Sequence, residues 1–84
     1  MTYRAIFLNV FLKQFKRLLD NDKTRIRQRV KELLENPYLG LRLKGELDGF
    51  WKDRIGTYRI IYKIDESSRN VIFYDVDLRK RVYD

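Results

Sequence analysis

Gly56-Thr57 separates two β-prone runs, Phe50–Ile55 and Tyr58–Ile64, in which apolar and charged residues alternate. A two-residue loop with glycine first suits a type II′ hairpin. That turn pairs Ile55 with Tyr58, and so places Arg54 opposite Arg59, Lys52 opposite Ile61 and Phe50 opposite Lys63. Opposed residues share a face, and side chains alternate along each strand. One face therefore carries Trp51, Ile55, Tyr58, Ile60, Tyr62 and Ile64. The other carries Lys52, Arg54, Arg59 and Lys63, with Phe50 and Ile61 among them. Asp53 falls on the apolar face, a blemish that a strand end could tolerate. A slip of one residue would scramble the separation, so this register constrains everything else.

The apolar face needs a cover, and the first half of the chain supplies it. Residues 2–8 read as a strand, with Asn9 as the expected N-cap of a helix from Val10 to Leu19. In that helix Phe11, Leu12, Phe15, Leu18 and Leu19 recur at helical spacing, with Lys13, Lys16 and Arg17 opposite. Asp20-Asn21-Asp22 reads as a turn, and Asp22 as the cap of a second helix reaching about Glu35. Its stripe is Ile26, Val30, Leu33 and Leu34, and Arg25, Arg27, Arg29 and Lys31 lie mostly outside it. Asn36-Pro37 ends the helix, because a residue before proline disfavours helical geometry. Residues 70–78 complete a three-stranded antiparallel meander. The expected fold is α+β: an N-terminal strand, an antiparallel two-helix hairpin, then the meander, with the helices on one face of the sheet. One domain spans residues 1–84.

Composition narrows the function classes. The chain has no cysteine and no histidine, so disulfides and thiolate or imidazole metal sites are excluded and no metal or cofactor is expected. No stretch approaches the ~20 apolar residues of a membrane span. The N-terminus lacks the pattern of a signal peptide, so a cytoplasmic protein is expected. The formal charge of +7 on 84 residues attracts polyanions such as nucleic acid, an anionic membrane surface or an acidic protein.

Directly opposed like charges destabilise a strand pair by up to roughly 1 kcal/mol, so folding gains nothing from Arg54 facing Arg59. Two readings account for the pair. Either the face is solvated and its cations pair with acids such as Asp75 or Asp77, or the cluster awaits phosphate, whose oxygens suit arginine's planar fork. The tail Leu78-Arg79-Lys80-Arg81-Val82-Tyr83 is open in the same way. It is a frayed basic end, or it brings phosphate ligands and a ring for base stacking. Pro37-Tyr38-Leu39-Gly40-Leu41 is either a docking loop or buried packing.

Arg54-Ile-Gly-Thr-Tyr-Arg59-Ile-Ile-Tyr62 resembles the R-x-G-x-Y-R-x-x-Y hairpin of the RelE/ParE toxins of toxin–antitoxin systems. Leu43-Lys44-Gly45, Leu78-Arg79 and Val82-Tyr83 extend the resemblance over nearly the whole chain, as does the order of elements. RelE-type members cut mRNA in the ribosomal A site, and ParE-type members inhibit DNA gyrase. The resemblance implies a RelE-type, metal-independent endoribonuclease with Lys52, Arg54, Arg59, Arg79, Arg81 and Tyr83 as catalytic residues, either Arg79 or Arg81 serving as the tail cation. Lys44, Lys63 and Lys80 are added as further RNA contacts. The implied partners are an acidic, helical RelB-like antitoxin, the ribosome and mRNA. A gyrase-directed toxin and a non-catalytic RNA- or ribosome-binding module are the alternative readings.

Overall fold

Glycine at position 56 adopts φ +57°, and Thr57 is not among the residues with positive φ, as a type II′ turn requires. The structure, a computed structural model, describes residues 2–78. Arg79, Lys80, Arg81 and Tyr83 lie outside the described residues. Around the turn, β3 (Phe50–Ile55) and β4 (Tyr58–Asp65) pair in the expected register at all six positions, from Ile55 opposite Tyr58 to Phe50 opposite Lys63. The third strand of the meander, β5 (Asn70–Leu78), runs antiparallel to β4.

Two further strands make the sheet five-stranded and mixed. β1 (Arg4–Phe7) lies parallel to β5, pairing Arg4 with Asn70 through Phe7 with Phe73. β2 (Leu41–Arg42) adds antiparallel to the outer edge of β3. The strand order is β1-β5-β4-β3-β2. The helices α1 (Asn9–Lys16) and α2 (Asp20–Glu35) lie in the connection after β1. Phe11, Ile26, Val30 and Leu33 meet Ile60, Tyr62, Val71, Phe73 and Val76 in the core. The helices therefore cover one sheet face and leave the other open.

The helix boundaries depart from the sequence reading. Asn9 is the first helical residue rather than the cap, and the extended Leu8 precedes it without a side-chain cap. Asp20-Asn21-Asp22 opens α2 instead of forming the turn, and Leu19 takes the N-cap position. Asp20 and Asp22 are stable there because carboxylates in a first turn oppose the positive end of the helix dipole. α1 accordingly stops at Lys16. Leu12 and Leu19, read as part of the buried stripe, are exposed, Leu19 by 75%. Among the described residues no helix is long and apolar enough to cross a membrane.

The segment after α2 is packed at its start and exposed beyond it. Pro37 is buried, whereas Tyr38, Leu39 and Leu41 are exposed. The carbonyl of Pro37 accepts a hydrogen bond from the buried Tyr62 hydroxyl at 2.7 Å. Gly40 passes so close that an added Cβ would stand 2.4 Å from the Tyr62 hydroxyl oxygen and 2.6 Å from the Lys52 carbonyl. Gly40→Ala is expected to cost about 1–3 kcal/mol, as overpacking of a filled site does. Urea unfolding would read this as a lower midpoint at unchanged slope.

A cationic groove on the open face of the sheet

The charge that alternation places on the outer face of β3 and β4 comes together in a groove. Lys52, Arg54 and Arg59 line it with Leu43, Leu47, Phe50 and Ile61, around a volume of about 370 Å³. The apolar wall comes from the connection between β2 and β3. There the Leu43 amide donates to the Phe50 carbonyl at 2.8 Å, and a short 3-10 turn, Gly45–Leu47, carries Leu47 over the groove. Glycine suits the first residue of this turn and the loop just beyond it, since Gly45 has φ +72° and Gly49 has φ +94°.

Arg59 is the most telling of the three cations. Its Nε is buried and has no hydrogen-bond partner among the described residues. Buried donors are paired in nearly all folded proteins, so this orphan donor leaves the groove suited to an acceptor from outside the described residues. Arg54 stands directly across from it, as the turn demands.

The other expected contacts divide. Lys63 lies one row away with its ammonium over the Phe50 ring, 4.5 Å from the centroid, and 6.0 Å from that of Tyr74. The two rings meet edge-on at 4.9 Å, so Lys63 caps an aromatic pair beside the groove. Lys44 is exposed where the 3-10 turn begins and does not line the groove.

Carboxylates share this face. β5 places Asp77 opposite Arg59 and Asp75 opposite Ile61, which is itself opposite Lys52. Two cross-strand rows result, Arg54–Arg59–Asp77 and Lys52–Ile61–Asp75. Yet no ion pair joins Lys52 or Arg59 to either carboxylate among the described residues. Burial pushes the Asp75 carboxyl above the usual carboxylate range, and the neighbouring Asp77 adds to this. A hydrogen bond from Gln14 and the charge of Arg59 act in the opposite direction.

Behind the groove, Asp53 is no strand-end blemish. It sits in the middle of β3, 5% exposed, and Arg29 of α2 grips it with two hydrogen bonds, Nε to Oδ2 at 2.7 Å and NH2 to Oδ1 at 2.8 Å. Arg29 also donates to Glu32 at 2.8 Å. These carboxylates raise the guanidinium's already high pKa, Asp53 most of all. A lone acid on an apolar sheet face calls for a cation on the covering helix, and that signal was available in the sequence. Nearer the turn, the Tyr58 hydroxyl donates to Asp22 at 3.0 Å. The hairpin that carries the cations is thus tied to α2 from both its middle and its tip.

Residues 5–83 match the family model described as ParE toxin of type II toxin-antitoxin system, parDE. Toxin RelG of Mycobacterium tuberculosis is 40% identical over 45 residues, 54% of this chain and 52% of that protein. The match thus spans about half the length of that curated relative. Among solved structures, the RelBE2 toxin–antitoxin complex of Mycobacterium tuberculosis superimposes with TM-score 0.88 at 27% identity, covering 94% of this chain and 93% of that one. The isolated E. coli RelE toxin shares the fold with TM-score 0.82 at 21% identity, over 96% of this chain and 88% of that one. So does the RelE–RelB complex of Pyrococcus horikoshii, with TM-score 0.79 at 24% identity, over 98% and 100% of the two chains.

Proposed function

We propose that this chain, which belongs to the ParE toxin family of type II toxin–antitoxin systems, is an endoribonuclease that cuts mRNA held on the ribosome. The observation that carries the reading is the buried Nε of Arg59, unpartnered among the described residues, in a groove shared with Arg54 and Lys52. Attack of a ribose 2′-hydroxyl on the adjacent phosphate builds charge on the non-bridging oxygens, and preorganised guanidinium groups stabilise that charge. Arg59 and Arg54 take this role, and Lys52 assists at the leaving oxygen. Arg79 or Arg81 and the ring of Tyr83, outside the described residues, complete the set by neutralising charge and stacking on a neighbouring base. A site of fixed cations does little to align free RNA, so the ribosome supplies the in-line geometry.

The partner that silences such a toxin is an acidic, helical antitoxin, drawn by the charge of +7. Toxin–antitoxin complexes among the structural relatives support this partnership.

A second reading, a gyrase-directed toxin, has the matched family model in its favour. Purified protein added to translating ribosomes separates the two. Toeprinting is expected to reveal new mRNA ends at the A site, in translated message only. Intact mRNA together with impaired gyrase supercoiling would establish the second reading instead. Salt-sensitive RNA binding with neither effect would leave a binding module.

A further inference from the structure

Among the described residues, the lining of the groove supplies no carboxylate to accept a proton. Its titratable lining consists of Lys52, Arg54 and Arg59, and a guanidinium stays protonated in proteins. Yet a 2′-hydroxyl that attacks phosphorus must lose its proton. Asp75 and Asp77, on the adjoining strand, face the same side of the sheet.

They do so only because β5 is irregular. Val71 and Phe73 are buried in the core, and simple alternation would send residues 75 and 77 in after them. Instead the register shifts between Ile61 and Tyr62, which pair with Asp75 and Phe73 and leave Tyr74 as the extra residue of a bulge. Val76 therefore turns into the core, and both aspartates turn out to the groove face. Bulges are over-represented beside active sites because they re-aim a side chain.

The two carboxylates are not equivalent. Asp77 stands directly opposite Arg59, and its Oδ1 accepts the Leu78 amide at 2.8 Å. Asp75 stands in the row of Lys52, and Gln14 of α1 acts to lower its pKa. Gln14 is itself fixed, because its Oε1 accepts the Val76 amide at 3.1 Å.

We infer that Asp75 is a catalytic residue of the cleavage site, the acceptor of the 2′-hydroxyl proton, aimed by the β5 bulge, with Gln14 bonded to the next residue of the strand. This inference rests on the nuclease reading above. In the step, the 2′-hydroxyl proton passes to the Asp75 carboxylate while the 2′-oxygen bonds to phosphorus. The bond from phosphorus to the 5′-oxygen breaks, and the leaving 5′-oxygen takes a proton from Lys52. The products are a 2′,3′-cyclic phosphate and a 5′-hydroxyl. Lys52 and Asp75 are two strands apart, about 10 Å between backbones, which leaves their side chains room to flank one phosphate.

The surroundings of Asp75 suit a base. Burial and Asp77 raise its pKa, and together they outweigh Arg59 and Gln14, which lower it. A carboxyl held above its usual range is a stronger proton acceptor once ionised. The ionised form is the active one, so the rate should climb as pH rises through the Asp75 pKa and then level off.

Single-turnover cleavage of one mRNA on purified ribosomes, followed across pH, tests this. Asp75→Asn and Asp75→Ser are expected to slow cleavage about 10²-fold or more, the scale of general base catalysis, and to flatten the acid limb. Gln14→Ala should move that limb to higher pH, since a hydrogen bond that lowers the pKa is lost. Both Asp75 variants cutting at the wild-type rate with the wild-type profile would overturn the assignment. Should either variant unfold, the direction of the Gln14→Ala shift decides, and an unmoved limb overturns it. A wild-type protein that leaves mRNA uncut on the ribosome overturns the nuclease reading, and this inference with it.

Discussion

Replacing Arg59 by methionine is expected to slow mRNA cleavage by about 10²–10³-fold, the usual cost of losing one preorganised donor to a developing oxyanion. Stability should hardly change. Methionine keeps most of the apolar stem of a residue that lines the groove, and it removes the repulsion between Arg59 and Arg54 directly across the strands. The opposing loss is the attraction to Asp77, which faces Arg59 from the other side. These contributions are each no more than about 1 kcal/mol and of opposite sign, so the midpoint of urea unfolding should stay within about that margin. A site that tolerates self-repulsion commonly gains stability when its function is removed. Primer extension on ribosome-bound message, paired with unfolding curves, checks both halves. Wild-type cleavage by the Arg59→Met protein would remove Arg59 from the proposed chemistry.

Arg29→Ala is expected to be the most damaging single change to the fold. It strands the Asp53 carboxylate, 5% exposed, on the face of β3 that packs against α2. Removing one partner of a buried ion pair typically costs about 3–5 kcal/mol, because the other charge stays buried without compensation. A domain of this size has a total stability of about 4–13 kcal/mol, so the loss is a large share of it. At roughly 4–8 °C per kcal/mol, the melting temperature should fall by well over 10 °C. The double variant Arg29→Leu, Asp53→Val should recover much of the loss, as apolar replacements of buried pairs often do. If Arg29→Ala alone proved harmless, the Arg29–Asp53 bond would be a surface contact rather than part of the core. Lys52 and Arg54 flank Asp53, so loosening this pair should also weaken cleavage by mobilising the strand that presents them.

Where local chemistry decides, the sequence was readable. The β3–β4 register and the two faces of that hairpin follow from Gly56 and alternation, and all six pairs stand as expected. Helix termini were misread because capping was judged from side chains alone. Asn9 and Asp22 are good capping residues, but Leu8 and Leu19 occupy the cap positions. Packing of Phe11 and Ile26 on the sheet sets where each helix begins more strongly than the roughly 1 kcal/mol a cap contributes. The same competition left Leu12 and Leu19 outside the core. β2 was missed because two residues, Leu41 and Arg42, carry too little pattern to read as a strand.

The candidate site divides along the same line. Lys52, Arg54 and Arg59 were placed on one face by the turn alone, and the structure gathers them in one groove. Lys63 shares that face and is drawn instead over the Phe50 and Tyr74 rings.

By itself, then, the sequence determined a hairpin whose cations must share a face, since a glycine-first two-residue turn admits one register. Tertiary structure decided what surrounds those cations. Alternation along Val71-Ile72-Phe73-Tyr74-Asp75-Val76-Asp77 would bury both aspartates. Burying Val76 instead, with one bulged residue, turns the two carboxylates toward the groove. Likewise Asp53 became half of a buried pair only when α2 brought Arg29 across it. Each choice turns on desolvation, which makes an unpaired buried carboxylate far costlier than an irregular strand.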